Sequence, residues 1–211
     1  MKALLLTLPA LAILAGCAGK GEIDATGGVT AVRSACPVVG VPAGTGDVTV
    51  FSPETSRADS AIDLVASMTN VRGTCADAGD QIASTVTFEV RASRTRAEAA
   101  RDVTLPYFVT VVRGGSNVVA KRVGQVSLRF EAGQSRASAS GQAVAYVARA
   151  AATLPDDVRQ QITRKRKAGD EDAATDPLTR PEVRQAVLRA SFEALVGFQL
   201  TDAQLRYNAT R

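Results

Sequence analysis

The chain is expected to fold as a mainly β protein: an antiparallel β-sandwich, immunoglobulin-like or fibronectin-like in topology, with a short helical insertion before its last strand. Three observations carry this expectation. Several runs between Cys36 and Ala150 alternate apolar and polar residues with period two, the pattern of a half-buried strand. Turn chemistry separates those runs, and no helical period lies between them. Residues 153–190 then break the alternation, which resumes at Phe192. A small closed barrel is the alternative, because alternation alone does not separate an open sandwich from a closed sheet.

The elements follow in order from the N-terminus. Lys2 supplies a minimal positive segment, and Ala3 to Ile13 an apolar stretch too short to span a bilayer, which takes roughly 20 residues. Leu14-Ala15-Gly16-Cys17 resembles the lipobox of bacterial lipoproteins. The resemblance implies that residues 1–16 are a signal peptide and that Cys17, carrying the lipid, begins the mature chain. Ala18 is not the Asp that commonly retains lipoproteins in the inner membrane, so it also implies outer-membrane anchoring facing the periplasm. Ala18 to Arg33 is rich in Gly, Ala and Thr without an apolar period, so residues 17–33 read as a tether with a coil dimension on the order of 20 Å. The folded domain is expected over 34–211.

Val48 to Phe51 reads as the first strand, ended by Ser52-Pro53. Ile62 to Thr69 places Ile62, Leu64, Ala66 and Met68 on one face; Ile82 to Ser93 does the same with Val86, Phe88 and Val90. Tyr107 to Arg113 and Asn117 to Val123 flank Gly114-Gly115, a hairpin signal. Val126 to Phe130 alternates cleanly, and Ser135 to Val147 is a weaker candidate strand. Pro155 to Lys167 reads as an amphipathic helix, with acids at its start, cations at its end, and Val158 and Ile162 four apart. Pro181 to Ala190 reads as a second helix, with Val183, Val187 and Leu188 as its apolar positions. Phe192, Ala194, Val196, Phe198 and Leu200 then form a returning strand, and Thr201 to Leu205 a cap and a closing helical turn.

Composition excludes more than it indicates. No His is present, so Ser-His-Asp and Cys-His catalysis and His-containing zinc sites are excluded. No Trp is present and aromatic residues make up 4%, which argues against a stacked sugar site or a single-stranded nucleic-acid platform. The 195 residues from Cys17 onward carry 24 Lys plus Arg against 21 Asp plus Glu, or +3, since Lys2 is the one charged residue of the leader. With Cys17 lipidated, Cys36 and Cys75 remain, and an oxidising compartment is expected to pair them. Such a bridge closes a loop of about 40 residues and contributes roughly 3 to 4 kcal/mol in the chain-entropy view. Two buried thiols are the alternative.

Few residues group into candidate sites. Arg164-Lys165-Arg166-Lys167 is the concentrated charge run. It reads either as an anion site for a lipid head group or lipopolysaccharide, or as a solvated helix end facing the acidic run Asp170-Glu171-Asp172. Asp63 and Glu89 interrupt strands and are expected to point to solvent. Gly114-Gly115 lacks the helix and Lys of a phosphate loop. Asn208-Ala209-Thr210 matches a glycosylation sequon that is expected to be incidental in a bacterial lipoprotein. Neither a catalytic constellation, nor a metal site, nor a cofactor site, nor a pocket for a small-molecule substrate emerges.

Leu105 to Val109, Ala120-Lys121, Val196-Gly197-Phe198-Gln199-Leu200-Thr201 and Gln204 to Asn208, together with Cys36-Pro37 and Cys75, resemble an uncharacterised group of small alphaproteobacterial lipoproteins. The resemblance implies location and a one-domain architecture, and it transfers no activity. Tyr107 and Tyr207 read as core residues or as anchors of a contact surface. The expected role is a non-catalytic accessory or scaffold on the outer membrane that binds an envelope protein through a sheet edge or the helical insertion. The alternative is binding of lipopolysaccharide or peptidoglycan through residues 164–167. Nucleic acid is not expected as a partner of an exported protein.

Overall fold

The structure, a computed structural model, describes residues 34–164, 169–172 and 175–210. Its strands are β1 (Val38–Gly40), β2 (Asp47–Phe51), β3 (Ile62–Ala78), β4 (Gln81–Arg94), β5 (Arg101–Arg113), β6 (Asn117–Phe130), β7 (Arg136–Ala148) and β8 (Phe192–Phe198). The helices are α1 (Arg149–Ala152), α2 (Asp156–Thr163), α3 (Pro181–Ala190) and α4 (Asp202–Thr210). Two four-stranded sheets face each other, ordered β1-β8-β5-β6 and β2-β3-β4-β7. This is the expected sandwich with a helical insertion before its last strand.

Connectivity is where the expectation of an immunoglobulin-like order meets its limit. That order pairs strands as ABED and CFG, whereas here three consecutive strands, β2, β3 and β4, run as an antiparallel meander within one sheet. The β5–β6 hairpin stays in the other sheet, and the insertion returns β8 beside β5. β1 adds to β8 in parallel.

The strands are also longer than their alternation suggested. β3 continues past Thr69 to Ala78, through a bulge where Asn70 adopts φ 50°. Val39 of β1 lies directly over Gly73 on this extension, which is otherwise largely exposed, so the sequence there needs no apolar period. The runs Asn117–Val123 and Val126–Phe130 are one strand. Gly124 joins them because a Cβ there would stand 2.6 Å from Cζ of Tyr107. β5 begins at Arg101 and carries Pro106 at the point where β8 ends opposite Tyr107; there the Gln199 N–H donates to the Pro106 carbonyl at 2.9 Å.

The core forms where the two inner faces meet. Leu64, Val86, Phe88 and Val90 pack against Leu128, Phe130, Val196 and Phe198. Each such side chain contributes about 1.5–3 kcal/mol through burial. At one end Ile82, Val111, Ala145, Val147 and Phe192 meet Ala152 of α1. Beyond them Val158 and Ile162 of α2 pack on Val183, Ala186 and Val187 of α3. Leu188, expected with them, is half-exposed, because Ala186 takes the inward position in the helical period. α4 closes the gap between the sheets: Tyr207 meets Phe51 edge-on at 5.1 Å, and Asn208 Nδ2 donates to the carbonyls of Gly44 and Asp47, each at 2.8 Å. Thr201 and Gln204 form its reciprocal N-terminal cap, the Thr201 N–H donating to Gln204 Oε1 and the Gln204 N–H to Thr201 Oγ.

Candidate interaction surface

Cys36, just before β1, and Cys75, on the β3 extension, stand at disulfide distance, with Cα atoms 6.0 Å apart and a sequence separation of 39. Beside this pair runs an apolar groove of about 460 Å³ lined by Ala35, Cys36, Val38, Leu154, Ile162 and Phe192. It lies between the entering chain and the helical insertion. At its rim Arg159 is engaged by Asp156 on the same helix. The groove offers apolar surface and the hydroxyls of Ser34, Thr153, Thr163 and Ser191.

The basic run divides at the boundary of the described residues. Arg164 lies within them, and Lys165, Arg166 and Lys167 lie outside. The Arg164 guanidinium contacts both carboxylate oxygens of Asp172 at 2.6 Å, while Arg180 approaches the same carboxylate at 3.8 Å. Arg164 therefore faces the acidic run, as the solvated reading expects, and the pair is exposed enough to contribute only about 0–1 kcal/mol. Cys17 and the whole of residues 1–33, leader and tether alike, also lie outside the described residues.

A third surface comes from the edge of a sheet. Among the described residues β6 pairs with β5 alone, from Asn117↔Arg113 to Phe130↔Arg101. Its second half turns Val126, Leu128 and Phe130 into the core, whereas Asn117 through Val123 are exposed one after another. Val118 is 59% exposed, Val119 49% and Val123 60%. Lys121 lies on the outer face with its Nζ 5.1 Å from the centre of the Phe108 ring, and Arg122 alternates to the other face. The β5 partner strand is meanwhile buried between β6 and β8, with Val109, Thr110, Val111 and Val112 all covered. A bulge places Val119 between Ala120, opposite Val111, and Val118, opposite Val112. A long, partly apolar edge with open backbone groups is a template for another strand.

The sequence held a faint sign of this edge. Val118-Val119-Ala120-Lys121-Arg122-Val123 does not alternate, unlike Val126 to Phe130 directly after it. A strand segment covered on neither face has no reason to keep period two.

Other expected positions sort as follows. Asp63 does not point to solvent: it is 4% exposed, with Arg96 Nη2 3.0 Å from Oδ1 and Arg101 Nη1 2.8 Å from Oδ2. Its neighbours alternate as expected, but Arg96 of the β4–β5 connection and Arg101 at the start of β5 fold guanidinium groups over the opposite face. Glu89 meets Arg91 and Asn70 on the outer face of its sheet. Asn208 acts as a structural donor through its amide. Tyr107 is a core residue, edge-on to Phe88 at 4.9 Å. Among the described residues no group of three or more Cys, Asp or Glu could hold a metal ion, and no helix is long and apolar enough to cross a membrane.

Together the fold and these surfaces define a β-sandwich with a helix-capped end, whose β6 edge carries a run of exposed apolar and cationic residues. No family model, no curated protein and no solved structure matches the chain.

Proposed function

We propose that this protein is an outer-membrane-anchored periplasmic lipoprotein, a non-catalytic accessory that binds an envelope protein through the free edge of β6. The observation that carries the reading is the stretch Asn117–Val123, exposed on both faces and, among the described residues, paired along one side only. Strand addition to such an edge is a common mode of protein recognition, in which backbone hydrogen bonds supply affinity and alternate side chains supply specificity. The lipobox-like residues at Cys17 and the disulfide-distance pair Cys36 and Cys75 support an exported, oxidising setting.

Two measurements test it. Cells labelled with a palmitate analogue are expected to transfer label to the wild-type chain and not to Cys17→Ala, which moves from the membrane fraction to the soluble one. Retention of Cys17→Ala in the membrane would overturn the anchoring. A photo-crosslinking residue at Val123 is expected to yield a discrete protein adduct that the same residue at Arg184 of α3 does not. Equal adducts from both positions would remove the edge as the docking surface.

A further inference from the structure

The charge on the β6 edge narrows what that edge takes. From Asn117 to Gln125 the strand carries Lys121 and Arg122 and no carboxylate. Lys121 and Arg122 project to opposite faces, so cations flank both sides of any strand laid against this stretch. We propose that the edge of β6 accepts an extended, acidic segment of a partner protein, with carboxylates interleaved between small apolar side chains. The proposal rests on the accessory reading above and names the partner's chemistry.

Several features fix the site. The bulge at Val119 disrupts the ladder just before Ala120, so regular pairing is available from Ala120 to Gln125, where the β5–β6 register runs without a break. Val123 and Val118 offer apolar contacts on either side of the two cations. Gly124 presents no side chain of its own, and the Tyr107 ring occupies that place on its inner face. The edge strand β7 carries Arg136 as its one charged residue and lacks the adjacent cations of β6.

Charge also argues against a second copy as the occupant. Antiparallel self-pairing over Ala120–Gln125 sets the two Lys121–Arg122 pairs opposite or diagonal to each other, where like charges destabilise a sheet. An acidic segment turns the same geometry to advantage, and its association weakens with salt.

The test uses the full-length chain in detergent and a fluorescein-labelled octapeptide of alternating valine and glutamate, read by anisotropy. Saturable binding is expected, weakened at least tenfold by the double change Lys121→Glu and Arg122→Glu. A valine–lysine octapeptide, and a valine–glutamate one methylated on alternate backbone nitrogens, are expected not to bind. Because both substituted residues are exposed, the variant should keep the wild-type melting temperature, which confirms that it is folded. Four results overturn the proposal: no saturable binding, equal binding of the valine–lysine peptide, unchanged binding of the methylated peptide, or dimerisation of the free chain that the double change abolishes. Membrane release of Cys17→Ala is read separately, so anchoring and edge chemistry can fail independently.

Discussion

Tyr107 of β5 reaches across the sandwich to β7, its hydroxyl donating to the Gln142 carbonyl at 3.0 Å while its ring fills the place that a side chain at position 124 would occupy. The pair ties the two sheets together beside the open edge of β6. Tyr107→Phe is expected to cost about 1 kcal/mol, the net value of one hydrogen bond. Gly124→Ala is expected to cost about 1–3 kcal/mol, because the new methyl must displace the ring. Urea midpoints of the two variants check the order: Gly124→Ala below Tyr107→Phe, and Tyr107→Phe below wild type.

Arg94 organises the opposite end of the sandwich. It is 6% exposed, and its guanidinium donates to the carbonyls of Ala97, Ala99, Glu131 and Gln134 while lying 5.0 Å from the Phe130 ring centre. The β4–β5 and β6–β7 connections thus share one buried cation. Arg94→Met leaves four carbonyls without this donor, and a loss on the order of 3 kcal/mol is expected. Arg94→Lys is expected to recover little of it, since a compact ammonium cannot reproduce the planar fork. Chemical denaturation of both variants decides the point; full stability in Arg94→Lys would contradict it.

Asn208 holds α4 in place through two donated bonds. Asn208→Asp replaces those donors with an oxygen facing the carbonyls of Gly44 and Asp47, and about 2 kcal/mol of destabilisation is expected. The loss should be local at first. Hydrogen exchange in α4 is expected to quicken well before exchange in β4, and uniform quickening would show that α4 unfolds only with the whole domain.

Cys36 and Cys75 tie the entering chain to the β3 extension across 39 residues of sequence. Replacing both by Ala is expected to cost roughly 3 to 4 kcal/mol. Melting of the wild-type chain should fall on adding reductant, and that of the double variant should not move. Equal sensitivity of the two would place the effect elsewhere.

Much of the fold was legible because burial imposes a period. Val86, Phe88 and Val90 alternate in sequence and are buried in the structure, and Pro181–Ala190 forms a helix over the expected bounds. The extension of β3, the strand β1 and the short helix α1 were not legible, since their residues pair or pack against segments distant in sequence and carry no local period. Arg94 was hidden for the same reason: its four carbonyl partners lie on two separate connections. Asp63 misled because alternation assigns a face, and a face counts as exposed only if nothing folds over it.

Sequence alone determined the mainly β class, the place of the helical insertion, the exclusion of histidine chemistry and the resemblance at Cys17 to a lipobox. These are properties of composition and short-range order, set by side-chain period and by which residue types are present. The tertiary structure decided which strands share a sheet, that Cys36 stands opposite Cys75, that Arg164 turns to Asp172, and that β6 is left as an edge. Those depend on which distant segments come to lie side by side. An edge in particular is defined by the strand that does not arrive, and the broken alternation of Val118 to Val123 is its one faint local sign.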